Sequence, residues 1–276
     1  MTGTPVTVAL LAVNVLLWLA LEATGGSQNT GNLLNFGAKY GPAIADGEWW
    51  RLVFPIFLHI GFFHLVANSF ALLIFGGMAE RTFGSPAYAG IYLLAGVAGN
   101  VASYWGDLWS GPTVGAGASG AVFGIIGAFA TYLLLNRRML GQLGRQSFTS
   151  ILAIIGINIL LGLAIPGIDN AAHLGGLVTG AAIAWVIAPR ERIVVATAQG
   201  PFSQPYVGMR PMRPGAGRLI LAMGLAVTII SATAFFIGRD YPFADQRSVS
   251  PEPGQIESPA ENYVTGLPPR RFDISR

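Results

Sequence analysis

Seven mostly apolar stretches, each about long enough to cross a bilayer, run through this 276-residue chain at about 5–24, 58–79, 86–105, 116–135, 148–166, 171–188 and 217–237. A helix needs about 20 such residues to traverse the hydrocarbon core. The pattern predicts an all-α polytopic protein seated in the cell membrane. The rest of the composition agrees. Hydrophobic residues make up 53% of the chain and charged residues 11%, against roughly 25% charged in a soluble domain. Most of the surface is therefore expected to face the lipid bilayer. The chain has no cysteine, which removes disulfides, thiolate metal sites and a cysteine nucleophile from consideration.

The segments between the runs divide the chain. The first run, Pro5 to Leu21, lacks a basic n-region and a small-residue cleavage site, so it reads as a retained helix rather than a signal peptide. The long loop from Gly25 to Phe57 is too polar to span and too apolar to float in water. Its Trp49 and Trp50 suit a segment lying on the membrane surface. Arg51 beside them is expected to support that loop through bonds to its backbone. Residues 1–189 then form a six-helix core, and 190–216 a basic, proline-rich cytoplasmic linker. Residues 217–238 supply a seventh transmembrane helix, and 239–276 a disordered extracytoplasmic tail.

A pI near 9.4 is a property shared with nucleic-acid binders. Here the arginines sit between apolar runs, where topology accounts for them and no nucleic-acid partner is expected. With the N-terminus cytoplasmic, the inner loops hold nine arginines, from Arg81 to Arg218, and the outer loops hold only Lys39 and Arg51. That asymmetry is the one the positive-inside rule requires. Seven crossings then leave the C-terminus outside the cytoplasm.

Parity converts this topology into depth. Runs two, four and six all enter from outside. His64 and Asn68 therefore fall in the outer half of run two, Ser119 near the start of run four, and His173 near the start of run six. All three histidines of the chain, His59 included, belong to this one layer. Ionisable residues at such depth are expensive and mark functional sites by default. His64 and Asn68 are i and i+4 and share a helix face. Ser119 stands in Gly115-Ala116-Gly117-Ala118-Ser119-Gly120, where small residues admit a substrate closely. A helix N-terminus there favours developing negative charge. A serine hydroxyl needs a base, and His173 is the natural one. His64 and Asn68 would donate to an oxyanion beside backbone N–H groups near Ser119. A purely structural bond between helices is the competing role for that pair. His59, near the interface, fits loop anchoring as well as chemistry. Gly120-x-x-x-Gly124 and Ala172-x-x-x-Gly176-x-x-x-Gly180 are small-residue faces that would let the serine and histidine helices pack at close range. Phe123, one turn after Ser119, is placed to pack against the imidazole.

These residues resemble the rhomboid proteases. The likeness rests on Gly117 to Gly120, on His64 to Asn68, and on Ala172 to Gly176. Trp50-Arg51 and Glu80-Arg81…Gly84-Ser85 add to it. It covers residues 5 to 189 in family order. It implies a six-helix rhomboid-like core with Ser119 as nucleophile, His173 as base, and His64 and Asn68 lining the oxyanion hole. It also implies no acidic third member, no metal and no cofactor. Substrates would be single-pass transmembrane proteins cut near a small residue, and the seventh helix looks like the "six plus one" subgroup. Three other readings fare worse on inventory. An inactive relative that escorts membrane clients typically lacks the serine or the histidine. A transporter needs polar residues through both leaflets. A zinc or aspartyl protease needs His-Glu-x-x-His or two deep aspartates, whereas Asp107 and Asp169 sit at run ends.

Overall fold

The computed structural model describes residues 3–196 and 206–244. The middle of the proposed linker and the tail from residue 245 onward lie outside the described residues. In chain order the elements begin with α1 (Pro5–Thr24), α2 (Thr30–Asn35), strand β1 (Lys39–Tyr40) and α3 (Gly41–Ala45). Two 3-10 turns, Trp49–Leu52 and Phe54–Phe57, complete the long first loop. Then come α4 (Gly61–Ala71), a π-helical turn (Leu72–Gly76) and α5 (Gly77–Phe83), which together make one continuous span from Gly61 to Phe83. Next are α6 (Ser85–Ser110), strand β2 (Val114–Gly115), α7 (Ser119–Leu135), α8 (Arg137–Ala164) and α9 (Asn170–Ile187). Strands β3 (Arg190–Ala196) and β4 (Tyr206–Met212) follow, and α10 (Ala216–Arg239) ends the series. The chain is an all-α polytopic membrane protein, with each apolar run carried by a helix.

Helices dominate because hydrocarbon offers no partner for backbone N–H and C=O groups, so each segment must satisfy its own. Among the described residues five spans are long and apolar enough to cross a bilayer by themselves: α1, α4 through α5, α8, α9 and α10. The apolar α7 has only 17 residues, or about 25 Å of helix. It stands inside the bundle, with every residue from Gly120 to Thr131 buried.

Association of helices in lipid depends on close packing rather than on escape from water. The small-residue faces do this work. An added Cβ at Gly176 would lie 1.9 Å from the Gly120 carbonyl oxygen, and one at Gly180 would lie 1.9 Å from that of Gly124. The backbones of α7 and α9 are thus in direct contact, and α6 joins them through Gly99, whose Cβ would meet the Ala172 carbonyl at 2.7 Å. By contrast α8 is sparsely covered, with Leu160, Leu163 and Ile157 exposed along the lipid-facing surface.

Polar groups tie the periphery to this centre. The buried Glu80 carboxylate accepts from the backbone N–H groups of Val6 (3.0 Å) and Thr7 (2.8 Å), and from the hydroxyls of Thr7 (2.8 Å) and Ser85 (2.7 Å). It therefore satisfies N–H groups that the first turn of α1 cannot pair within the helix. Within the stretch read as a linker, β3 and β4 pair antiparallel from Arg190↔Met212 to Ala196↔Tyr206. The β-branched run Ile193-Val194-Val195 suits such a strand. Just past the open end of the hairpin, Arg213 donates to the Arg81 carbonyl at 3.1 Å. The seventh helix, α10, packs onto the core by Ala222, Ile230, Ala234 and Ile237. Tyr241, just past its end, is also buried.

The α7–α9 contact makes a stability prediction. Gly180→Ala should destabilise the folded protein by about 1–3 kcal/mol, the usual range for overpacking. Gly217→Ala, where an added Cβ meets nothing within 4 Å, should leave stability unchanged or slightly raised. Thermal melts of both variants in detergent would check the contrast.

Candidate active site

Three helices bring the sequence-selected side chains to one end of the bundle. Ser119 is the first residue of α7, and no side chain caps that helix's N-terminus. Its first amides are therefore free of a protein side-chain acceptor and carry the positive end of the helix dipole. His173 lies in the first turn of α9, buried to 7% exposure. Asp169 caps that helix by accepting from the Ala172 N–H at 2.9 Å. His64 and Asn68 lie one turn apart on α4, and Asn68 is buried.

The approach of Ser119 to His173 follows from the packing of their chain neighbours. Gly120, next to Ser119, and Ala172, next to His173, meet Gly99 in a three-helix contact. An added Cβ at Gly120 would sit 3.3 Å from the Ala172 carbonyl oxygen and 3.6 Å from Gly99 Cα. The His173 ring then stacks on Phe123, with ring centroids 4.3 Å apart and planes within 7°. That stacking fixes the imidazole plane without a polar partner: His173 Nδ1 is buried and has no hydrogen-bond partner among the described residues. No hydrogen bond joins Ser119 to His173 in this conformation. Such contacts commonly tighten only when substrate is present.

His64 reaches the same place from α4. A side chain at Gly117 would meet the His64 ring at 2.7 Å for Cε1 and 2.9 Å for Nε2, and Ser119 Oγ at 3.7 Å. The His64 ring and the serine oxygen thus lie on the same side of the Gly117 backbone. Gly117 has φ 149° and donates its N–H to the Pro55 carbonyl at 2.9 Å, which holds the loop before Ser119 onto the second 3-10 turn. Asn68 donates one amide hydrogen to the His64 carbonyl at 3.0 Å, which leaves its second N–H available. His59 is fully buried, its ring 5.4 Å from that of His64 and edge-on to it. The histidine left open between anchor and chemistry therefore packs directly behind His64.

The first loop closes over this end of the bundle through charge. The Arg51 guanidinium donates to the carbonyls of Leu34 (2.8 Å) and Ala38 (3.1 Å) and pairs with Glu48, the loop-supporting role that the sequence suggested. Lys39 was not singled out by motif. It is fully buried and bridges Asp107 at 2.8 Å and Thr113 at 2.9 Å. A legible signal existed: Lys39 is the chain's one lysine, and Asp107 ends a run on the same side. Strands β1 and β2 pair there as Lys39↔Gly115 and Tyr40↔Val114, which joins the first loop to the segment leading into Ser119. Among the described residues no group of three or more His, Asp or Glu side chains is close enough to hold a metal ion.

Fold and site together define a polytopic helical membrane protein that holds a serine, histidines and an asparagine within the end of its bundle. Residues 46–190 match the Rhomboid domain family, a stretch that contains all four candidate side chains. The chain is 47% identical over 171 residues to the rhomboid protease GluP of Bacillus subtilis, a match covering 62% of this chain and 32% of that protein. It is 30% identical over 191 residues to the putative rhomboid protease YdcA of the same organism, covering 68% and 90% respectively. With the rhomboid protease AarA of Providencia stuartii the identity is 32% over 206 residues, covering 67% and 73%. The chain belongs to the rhomboid family of intramembrane serine proteases.

Proposed function

We propose that this protein is a serine endopeptidase that cleaves transmembrane segments of single-pass membrane proteins through a Ser119–His173 dyad, with no metal or cofactor taking part. The observation that carries this reading is the contact of Gly120 with Ala172, beside a His173 ring stacked on Phe123. That contact, with the uncapped N-terminus of α7 and the oriented imidazole, supports pairing Ser119 with His173. In the proposed reaction His173 Nε2 takes the Ser119 hydroxyl proton as Oγ attacks the scissile carbonyl carbon. The carbonyl oxygen becomes an oxyanion, which accepts from the first amides of α7, from the His64 ring and from the second N–H of Asn68. Collapse of the tetrahedral adduct breaks the C–N bond, and the imidazolium gives its proton to the leaving amine. Water, deprotonated by His173, then releases the acyl group and restores Ser119.

In this reading the dyad lies toward the extracytoplasmic side, with the N-terminus and the β3–β4 hairpin in the cytoplasm and the C-terminus outside. The arginine asymmetry between loops supports that orientation. A protease added to sealed, cytoplasm-inside vesicles should remove a C-terminal tag while leaving an N-terminal tag intact. Protection of the C-terminal tag would refute the orientation.

Ser119→Ala and His173→Ala should each abolish cleavage of a model transmembrane substrate by the purified protein without unfolding it. A fluorophosphonate should label Ser119 in the wild type and fail to do so in His173→Ala. Undiminished proteolysis by Ser119→Ala would end this reading.

Asn68 and His64 separate chemistry from architecture. Loss of one oxyanion donor costs a factor of about 10²–10³ in kcat. Loss of one interhelical hydrogen bond in a membrane costs only about 0.6 kcal/mol of stability on average. Asn68→Ala is expected to lower kcat by that larger factor with KM and melting temperature nearly unchanged, and His64→Ala should follow it. A modest parallel fall in stability and activity would assign the pair to helix packing instead.

A further inference from the structure

The seventh helix delivers a side chain into the buried charge pair that anchors the loop before Ser119. Asp107, at the end of α6, is 1% exposed. Its Oδ1 accepts from Lys39 Nζ at 2.8 Å and from the Thr113 hydroxyl at 2.9 Å. Its Oδ2 accepts from the Tyr241 hydroxyl at 3.3 Å, the one donor it has among the described residues. A buried carboxylate oxygen requires such a donor, since burial without one is costly. Tyr241 stands two residues beyond α10. Its ring is held by Tyr104 at 4.8 Å and Phe243 at 5.7 Å between centroids.

The three donors come from three separate pieces of chain; one runs directly into the candidate site and a second pairs with it. Lys39 belongs to β1. Thr113 immediately precedes β2, which runs through Gly115 and Gly117 to Ser119. The carboxylate therefore sets where β1 and β2 lie, and with them the segment carrying the serine. The opposite wall shows how closely Tyr241 is fitted. An added Cβ at Gly41 would sit 1.9 Å from the Tyr241 hydroxyl oxygen and 2.6 Å from Asp107 Oδ2. Any side chain at position 41 would push the tyrosine off the carboxylate.

Resting on the proposed serine-protease reading, we infer that Tyr241 is a positioning residue: through Asp107, Lys39 and Thr113 it holds the 113–118 loop so that Ser119 sits in attacking geometry. The seventh helix thereby takes part in the reaction without touching substrate. Tyr241→Phe removes the hydroxyl and keeps the ring packing, so the variant should fold.

The test uses the full-length protein with a model transmembrane substrate and with a fluorophosphonate, comparing wild type, Tyr241→Phe, Gly41→Ala and Ser119→Ala. Displacing a reacting group by 1 Å can lower a rate by about a hundredfold. A smaller shift in Tyr241→Phe should lower both kcat and the rate of Ser119 labelling by about tenfold. KM should stay within about twofold of wild type. Gly41→Ala, acting from the other side, should reproduce that pattern. Values of kcat and labelling rate within about twofold of wild type in both variants would overturn the inference. So would a lowered melting temperature with kcat per labelled site retained, because that is what mere stabilisation predicts. If the wild type cleaves no faster than Ser119→Ala, the functional reading itself fails; if it does cleave faster, the tyrosine result judges this inference alone.

Discussion

Where α7 and α9 cross, carbonyl oxygens of one helix lie against α-carbons of the other, at Gly120 with Gly176 and at Gly124 with Gly180. Lipid tails are as apolar as leucine, so burying more leucine would not hold two helices together here. Close backbone contact does, through dispersion and the release of lipid from the interface. The spacing that results is smaller than any side chain allows. It also places Ser119 and His173, which flank the first of these contacts, on adjoining helix ends. The bundle's packing and the nearness of the α7 and α9 ends that carry Ser119 and His173 thus rest on the same few glycines.

The two ends of the core are secured differently from its middle. Glu80 at one end gathers four donors from α1 and from the start of α6. At the other end Asp107 gathers Lys39, Thr113 and Tyr241. Both carboxylates are buried, where an unpaired charge would be strongly destabilising. Each therefore makes the position of several chain segments conditional on one another. Through Lys39, Asp107 ties the long loop from Gly25 to Phe57 to the end of α6, and Ile56 of the same loop packs into the bundle's core.

Chemistry of the proposed kind depends on orientation as much as on residue type. His173 is oriented by an aromatic face, since its buried nitrogen has no protein acceptor among the described residues. His64 is backed by the fully buried His59. The candidate site is thus supported largely by packed rings, which keep their geometry in a low-dielectric setting without adding further charge to it.

Much of this was legible in the amino-acid order. Hydrophobic run length picked out the long apolar helices, because the thickness of hydrocarbon sets their length. Parity then put Ser119, His64, Asn68 and His173 in one layer, and i, i+4 spacing paired His64 with Asn68. Phe123 was reachable the same way. Other features had no local signature. The Lys39–Asp107 bridge joins residues 68 positions apart, and Tyr241 reaches the same carboxylate from 134 positions away. The β3–β4 hairpin arose in a stretch whose proline and arginine content read as a linker. Local spacing reports which side chains share a helix face. It carries no information about which distant segments a buried charge will draw together, because that choice is made only when desolvation forces every donor and acceptor in the folded bundle to find a partner. The sequence by itself determined the long apolar helices, their order and which polar residues stand as candidates for the site. Only the tertiary structure decided that the first loop, the strand before Ser119 and the end of the seventh helix would meet at Asp107.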